Sequence, residues 1–197
     1  MAAKSQTGQG SSGSDPITSA SQRQENQMIA IRVVAIPTEI ADAVRSAHKD
    51  PRYGHPAHTA IAAEGAPCRH CLQIIAAGAE RATLFTYDAF EGIESLPLPG
   101  PVYIHAESCE RYRDDAGFPA QLRDSPRTLN AYAIGRHLVA VEYVRNGNVD
   151  AGIEKLFARP DVDYIHVRST TAGCYTFRIE RGSGSRTRAG SVSSGRV

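Results

Sequence analysis

Apolar residues along this chain switch between two spacings, and each switch marks the edge of an element. Ile29-Ala30-Ile31-Arg32-Val33-Val34-Ala35-Ile36 is rich in β-branched residues and stops at Pro37, which predicts a buried strand. Ile40, Val44 and Ala47 then fall on one helical face, predicting a helix over 39–48 with Thr38 as N-cap and Asp50-Pro51 as stop. Residues 51–66, with Arg52, Tyr53, His55, Pro56 and His58, predict an irregular connection. Strands are predicted at 83–87 and 102–105, on either side of a Pro/Gly-rich loop at 91–100, and residues 106–112 start a short helix. Between 113 and 136 the pattern is weak, although Leu122, Leu129 and Tyr132 need a core.

The last third reads more sharply. Residues 137–144 predict a strand, Asn146-Gly147 a turn, and Asp150 caps a helix that carries Ile153, Leu156 and Phe157 and ends at Pro160-Asp161. Residues 164–168 and 174–181 predict a terminal antiparallel hairpin. Strand, helix and strand in succession imply a β-α-β crossover. The expected fold is a single α+β domain over 28–181, with a mixed sheet, that crossover and the C-terminal hairpin.

Composition confines this fold to the middle of the chain. Residues 1–27 are Ser, Gln, Gly and Ala rich, and residues 182–197 are mostly Gly, Ser and Arg, so both predict disordered tails that cannot offset ordering entropy by burial. Met28, just before the first strand, is the expected start of the domain. The net charge of +1 includes Arg186, Arg188 and Arg196 of the C-terminal tail, which leaves the folded part slightly acidic and speaks against a nucleic-acid surface. No apolar leader and no run of membrane-spanning length is visible, so the expected compartment is the cytoplasm. There, cysteines serve as metal ligands or free thiols more than as disulfides.

The cysteines carry the main chemical signal. Cys68 and Cys71 form a C-x2-C pair, and His105 and Cys109 form an H-x3-C pair after the two central strands. Thiolate and imidazole are the ligands that hold zinc tetrahedrally. A turn bearing two cysteines, a hairpin, and a second pair at a helix start resemble a treble-clef zinc finger. The reading is a structural Cys3His zinc site at Cys68, Cys71, His105 and Cys109. Two alternatives stay open. Cys68-Arg69-His70-Cys71 has the form of a redox dithiol whose thiol is activated by neighbouring cations. Ordinary buried cysteines are the third possibility. His70, His55 and His58 are expected to be solvated.

The terminal hairpin is two-faced. Ile165, Val167, Tyr175, Phe177 and Ile179 alternate with His166, Arg168, Cys174, Thr176 and Arg178. The second set is a candidate site for a small anionic ligand, through His166, Arg168, Cys174 and Arg178, against the alternative of a solvated sheet face. Glycine phosphate loops, G-x-S-x-G elbows and H-E-x-x-H helices are missing from the sequence.

Five segments together resemble the bacterial family catalogued as domain of unknown function 1203. They are I-R-V-V-A-I-P-T-E-I (31–40), P-C-R-H-C-L (67–72), L-F-T-Y-D-A-F (84–90), G-P-V-Y-I-H-A-E-S-C-E (100–110) and Y-I-H-V-R-S-T-T-A-G-C-Y-T-F (164–177). The resemblance spans the domain and carries no assigned activity. The combined expectation is a cytosolic binding or interaction module with a structural zinc, whose partner is a protein or a small anion. Its rival is a thiol-disulfide enzyme using Cys68 and Cys71.

Overall fold

The computed structural model describes residues 29–93 and 98–182, so both expected tails and the expected start at Met28 lie outside the described residues, save Gly182. Within them the chain is α+β, built on two antiparallel sheets and a short ribbon. The larger sheet has the order β1 (Ile31–Val34), β10 (Tyr175–Arg181), β9 (Tyr164–Ser169), β7 (Arg127–Tyr132), β8 (Leu138–Val144). The smaller has the order β2 (His58–Ile61), β5 (Arg81–Asp88), β6 (Pro99–His105), and β3 (Ala66–Pro67) pairs with β4 (Ile74–Ile75).

Helix α2 (Val149–Phe157) joins β8 to β9 and covers one face of the large sheet. Its Ile153, Leu156 and Phe157 share a core with Val33, Leu129, Ile165, Val167, Phe177 and Ile179. Burying each such side chain contributes about 1.5–3 kcal/mol. The helix sits close because Gly152 has no side chain: a Cβ there would lie 2.6 Å from Val144 Cγ1 and 3.2 Å from Leu129 Cδ1. A second core forms where α1 (Thr38–Ala47) and the small sheet meet, and holds Ile36, Val44, Ile75, Phe85, Val102, Ile104 and Tyr175.

The crossover expected from the sequence is present, and β8 and β9 run the same way. They are not neighbours, however, because β7 lies between them and pairs antiparallel with both. Every ladder among the described residues is antiparallel, where a mixed sheet was expected. The reason lies in 113–136, where the pattern had been weak: the chain forms β7 there, with Leu129 and Ala131 fully buried.

Other local expectations shift for physical reasons. The segment 51–66 contains β2, an edge strand with exposed side chains and hence little hydrophobic signature. Residues 106–112 form no helix; Ala106 N–H bonds Arg81 O and Tyr112 N–H bonds His70 O, so long-range partners replace helical ones. Pro37, not Thr38, occupies the α1 N-cap position, and Thr38 is the first helical residue. A register shift between Tyr175 and Phe177 puts Tyr175 opposite Arg168, on the His166 side of the sheet, and breaks the simple alternation.

Candidate metal centre

The C-x2-C pair folds as a tight turn between β3 and β4. Leu72 N–H bonds Cys68 O at 2.9 Å, and Cys68 N–H bonds Gln73 O at 2.8 Å. Leu72 takes φ of 58°, a left-handed conformation that costs a branched residue about 1–2 kcal/mol. Leu72 is fully buried, and that packing holds the turn in place. The turn aims both sulfurs at the end of β6, where His105 leaves the sheet and Cys109 follows on an irregular loop.

All four groups converge: the donor atoms of Cys68, Cys71, His105 and Cys109 lie within 4.8 Å of one another. Cys68 Sγ is 3.9 Å from Cys109 Sγ, and Cys71 Sγ is 3.3 Å from His105 Nδ1. A tetrahedral ion with sulfur at about 2.3 Å and nitrogen at about 2.0 Å requires sulfur–sulfur edges of about 3.8 Å and sulfur–nitrogen edges of about 3.5 Å. The chain therefore presents a Cys3His group at metal-binding spacing, with these two edges close to those values.

Surrounding side chains complete the centre. His105 Nε2 faces Glu80 Oε1 at 3.8 Å, so Nδ1 turns inward. Cys68 Sγ accepts the His105 backbone N–H at 3.4 Å. Arg45 donates to His105 O at 3.2 Å and to Cys109 Sγ at 3.4 Å. His70 Nδ1 lies 3.2 Å from Cys109 Sγ, and its Nε2 lies 3.1 Å from Thr38 Oγ1. His70 was expected to be solvated, but it is buried against the centre, and burial lowers its pKa. Thr38 gives its hydroxyl to this histidine rather than to a helix cap.

The thiols titrate as one unit. Hydrogen bonds from Cys109 and then Cys71 hold Cys68 well below the usual thiol range. The hydrogen bond with Cys68 pushes Cys109 up, and those with Cys109 and Cys68 push Cys71 up. The hydrogen bond with Cys68 raises His105. One negative charge is thus comfortable in the cluster and three are not, a conflict that a bound cation resolves. Arg69, expected as a cation beside the thiols, instead donates to Tyr175 O at 2.9 Å and to Pro67 O at 2.6 Å, and burial lowers it to about 10.

The expected anion face is distributed differently. His166 is fully buried, ringed by Phe90, Tyr132, Tyr164 and Tyr175 at centroid distances of 4.8, 5.1, 5.1 and 5.0 Å. Neither of its ring nitrogens has a hydrogen-bond partner. Arg168 and Cys174 line one cleft with Tyr87 and Tyr175, of about 160 Å³. Arg178 lines another, of about 380 Å³, and pairs with Glu180 at 2.8 Å. Arg168 and Arg178 each keep a buried Nε without a partner. The small sheet covers the face that alternation alone would leave to solvent. His55 and His58 are exposed, as expected.

Arg45 and Glu80 are companions of the centre that the sequence pattern does not reveal. No local signal marks them, because they reach the ligands across 60 and 25 positions of chain. Residues 65–181, more than half of the chain, match the model of one family, described as protein of unknown function (DUF1203). No curated protein and no solved structure matches the chain.

Proposed function

The chain belongs to that family, and we propose that it is a cytosolic binding module stapled by a structural zinc ion at Cys68, Cys71, His105 and Cys109. The observation that carries this reading is the convergence of four donor atoms within 4.8 Å. Three thiolates and an imidazole form a soft-to-borderline tetrahedral set, which favours zinc over oxygen-seeking cations. Four protein ligands fill the shell and leave no position for an activated water, which favours scaffolding over hydrolysis.

The ion would join three pieces that have little regular structure of their own: the β3–β4 turn, the exit of β6 and the loop that bears Cys109. Strands β3 and β4 are only two residues each, so the ladder alone gives the turn little support. Four free cysteines suit a reducing compartment, and no helix among the described residues is long and apolar enough to cross a membrane. Leu138, Val141 and Tyr143, exposed on the edge strand β8, offer an apolar strip to a protein partner.

Elemental analysis of protein purified without a histidine tag tests the reading. About one zinc per chain is expected, lost in Cys109→Ser together with a fall in melting temperature. Absence of metal, with a Cys68 or Cys71 thiol that titrates well below pH 8, would replace this reading with thiol-disulfide exchange.

A further inference from the structure

The four ligands are not equally sheltered. Cys68 is fully buried, whereas Cys71, His105 and Cys109 line a cleft of about 490 Å³ with Glu80, Arg111 and Tyr112. Cys109 is the least covered of the three cysteines in the group. It sits on a loop tied at its ends by the Ala106 and Tyr112 backbone bonds, outside any helix or strand. Its sulfur has a second sulfur, that of Cys68, 3.9 Å away. A thiolate held by a cation, reachable from solvent and poised beside a second thiolate meets the conditions for selective oxidation.

We infer that Cys109 is an oxidative modification site, at which hydroperoxides link it to Cys68 and expel the metal. This rests on the zinc reading above. In the first step the Cys109 thiolate attacks one peroxide oxygen, the O–O bond breaks, hydroxide or alkoxide leaves, and Cys109 becomes a sulfenic acid. In the second, the Cys68 thiolate attacks the Cys109 sulfur, the S–O bond breaks, hydroxide leaves, and the disulfide forms. Two electrons pass from the two sulfurs to the peroxide, and the released hydroxide or alkoxide ions are neutralised by protons from the buffer. The ion keeps only Cys71 and His105 and leaves hydrated.

Closing the S–S bond to about 2.05 Å needs about 2 Å of movement. The irregular loop at Cys109 supplies it more easily than the buried turn at Cys68. Arg45 donates to Cys109 Sγ at 3.4 Å and so marks the side of that sulfur turned toward α1. Cys174 is not among the four clustered ligands; its sulfur contacts Ala172 O at 3.8 Å.

The test titrates the zinc-loaded full chain with hydrogen peroxide. A chromogenic chelator follows released ion, and mass spectrometry maps disulfides. One zinc is expected per peroxide consumed, with a Cys68–Cys109 link, reversal by a dithiol plus zinc, and unchanged release in Cys174→Ser. Retention of the ion at hundredfold peroxide excess, or a link that omits Cys109, would overturn the inference. If the purified chain carries no zinc, the metal reading fails by itself. Disulfide mapping of that protein still decides whether Cys109 and Cys68 pair.

Discussion

Replacing His166 with leucine is expected to stabilise the protein, and more so in acid. The ring is fully buried inside four aromatic side chains, with neither nitrogen partnered. Leaving a buried polar group unpaired costs about 1–3 kcal/mol. Leucine is close to histidine in volume, and such an exchange of shape in a packed site costs under about 1.5 kcal/mol. The expected balance near pH 8 is a gain of about 1 kcal/mol.

Acid adds a second, calculable part. Burial first, then Arg168 and Arg178, push the His166 pKa well below its usual value. The unfolded chain binds a proton near pH 6.5 that the folded chain refuses. Stability is therefore whole above that pH and lost as pH falls. At pH 5.5 an unfolded-state pKa of about 6.5 corresponds to a loss of about 1.4 kcal/mol. The variant escapes this loss, so its advantage should grow by that amount between pH 8 and 5.5. Burial pushes Tyr164 and Tyr175, beside the ring, up and away from this range. Urea unfolding of both proteins at each pH, taken as a difference so that metal loss is common to both, measures it. A constant difference across pH, or a variant less stable by 1 kcal/mol or more at pH 8, would show that the imidazole has a partner and refute the reasoning.

Two further outcomes follow from contacts already described. Gly152→Ala forces a Cβ against Val144 Cγ1 at 2.6 Å, and is expected to destabilise by about 1–2 kcal/mol despite alanine's better helix propensity, read as a lower urea midpoint; an unchanged or raised midpoint would mean that α2 is free to lift. His70→Ala removes the contact to Cys109 and should weaken zinc binding by about 10- to 100-fold in chelator competition, with Thr38→Val acting in the same direction but less; unaltered affinity in His70→Ala would make this histidine a packing residue only.

The metal group was legible because its evidence is local. C-x2-C fits one turn, H-x3-C fits one strand exit, and the hairpin between them was visible in two apolar runs. Helix α1 and strand β9 were legible for the same reason, since each carries its own spacing. The missed parts depend on distant chain. β7 is buried through its pairing with β8 and β9, so Thr128 and Asn130 sit in a central strand that reads as polar. The shift at Tyr175 moves one side chain across the sheet, and no pattern of alternating residues announces it. His70 looks like a loop histidine until α1 brings Thr38 to one nitrogen and the Cys109 loop brings sulfur to the other.

The order of the large sheet bears on how the chain is made. β10, the last strand among the described residues, lies between β1 and β9, and Gly182 N–H bonds Ala30 O at 2.7 Å. During synthesis β1 has no strand partner until β10 has emerged, whereas β7 and β8, adjacent in sequence, are available to each other well before. Pairings this distant in sequence slow folding, and a chain cut short before Tyr175 would lose both neighbours' closure at once. The same arrangement brings Ala30 and Gly182 side by side, where a short linker joining them, with new ends opened at an exposed turn such as Asn146-Gly147, would leave every ladder of the described residues in place.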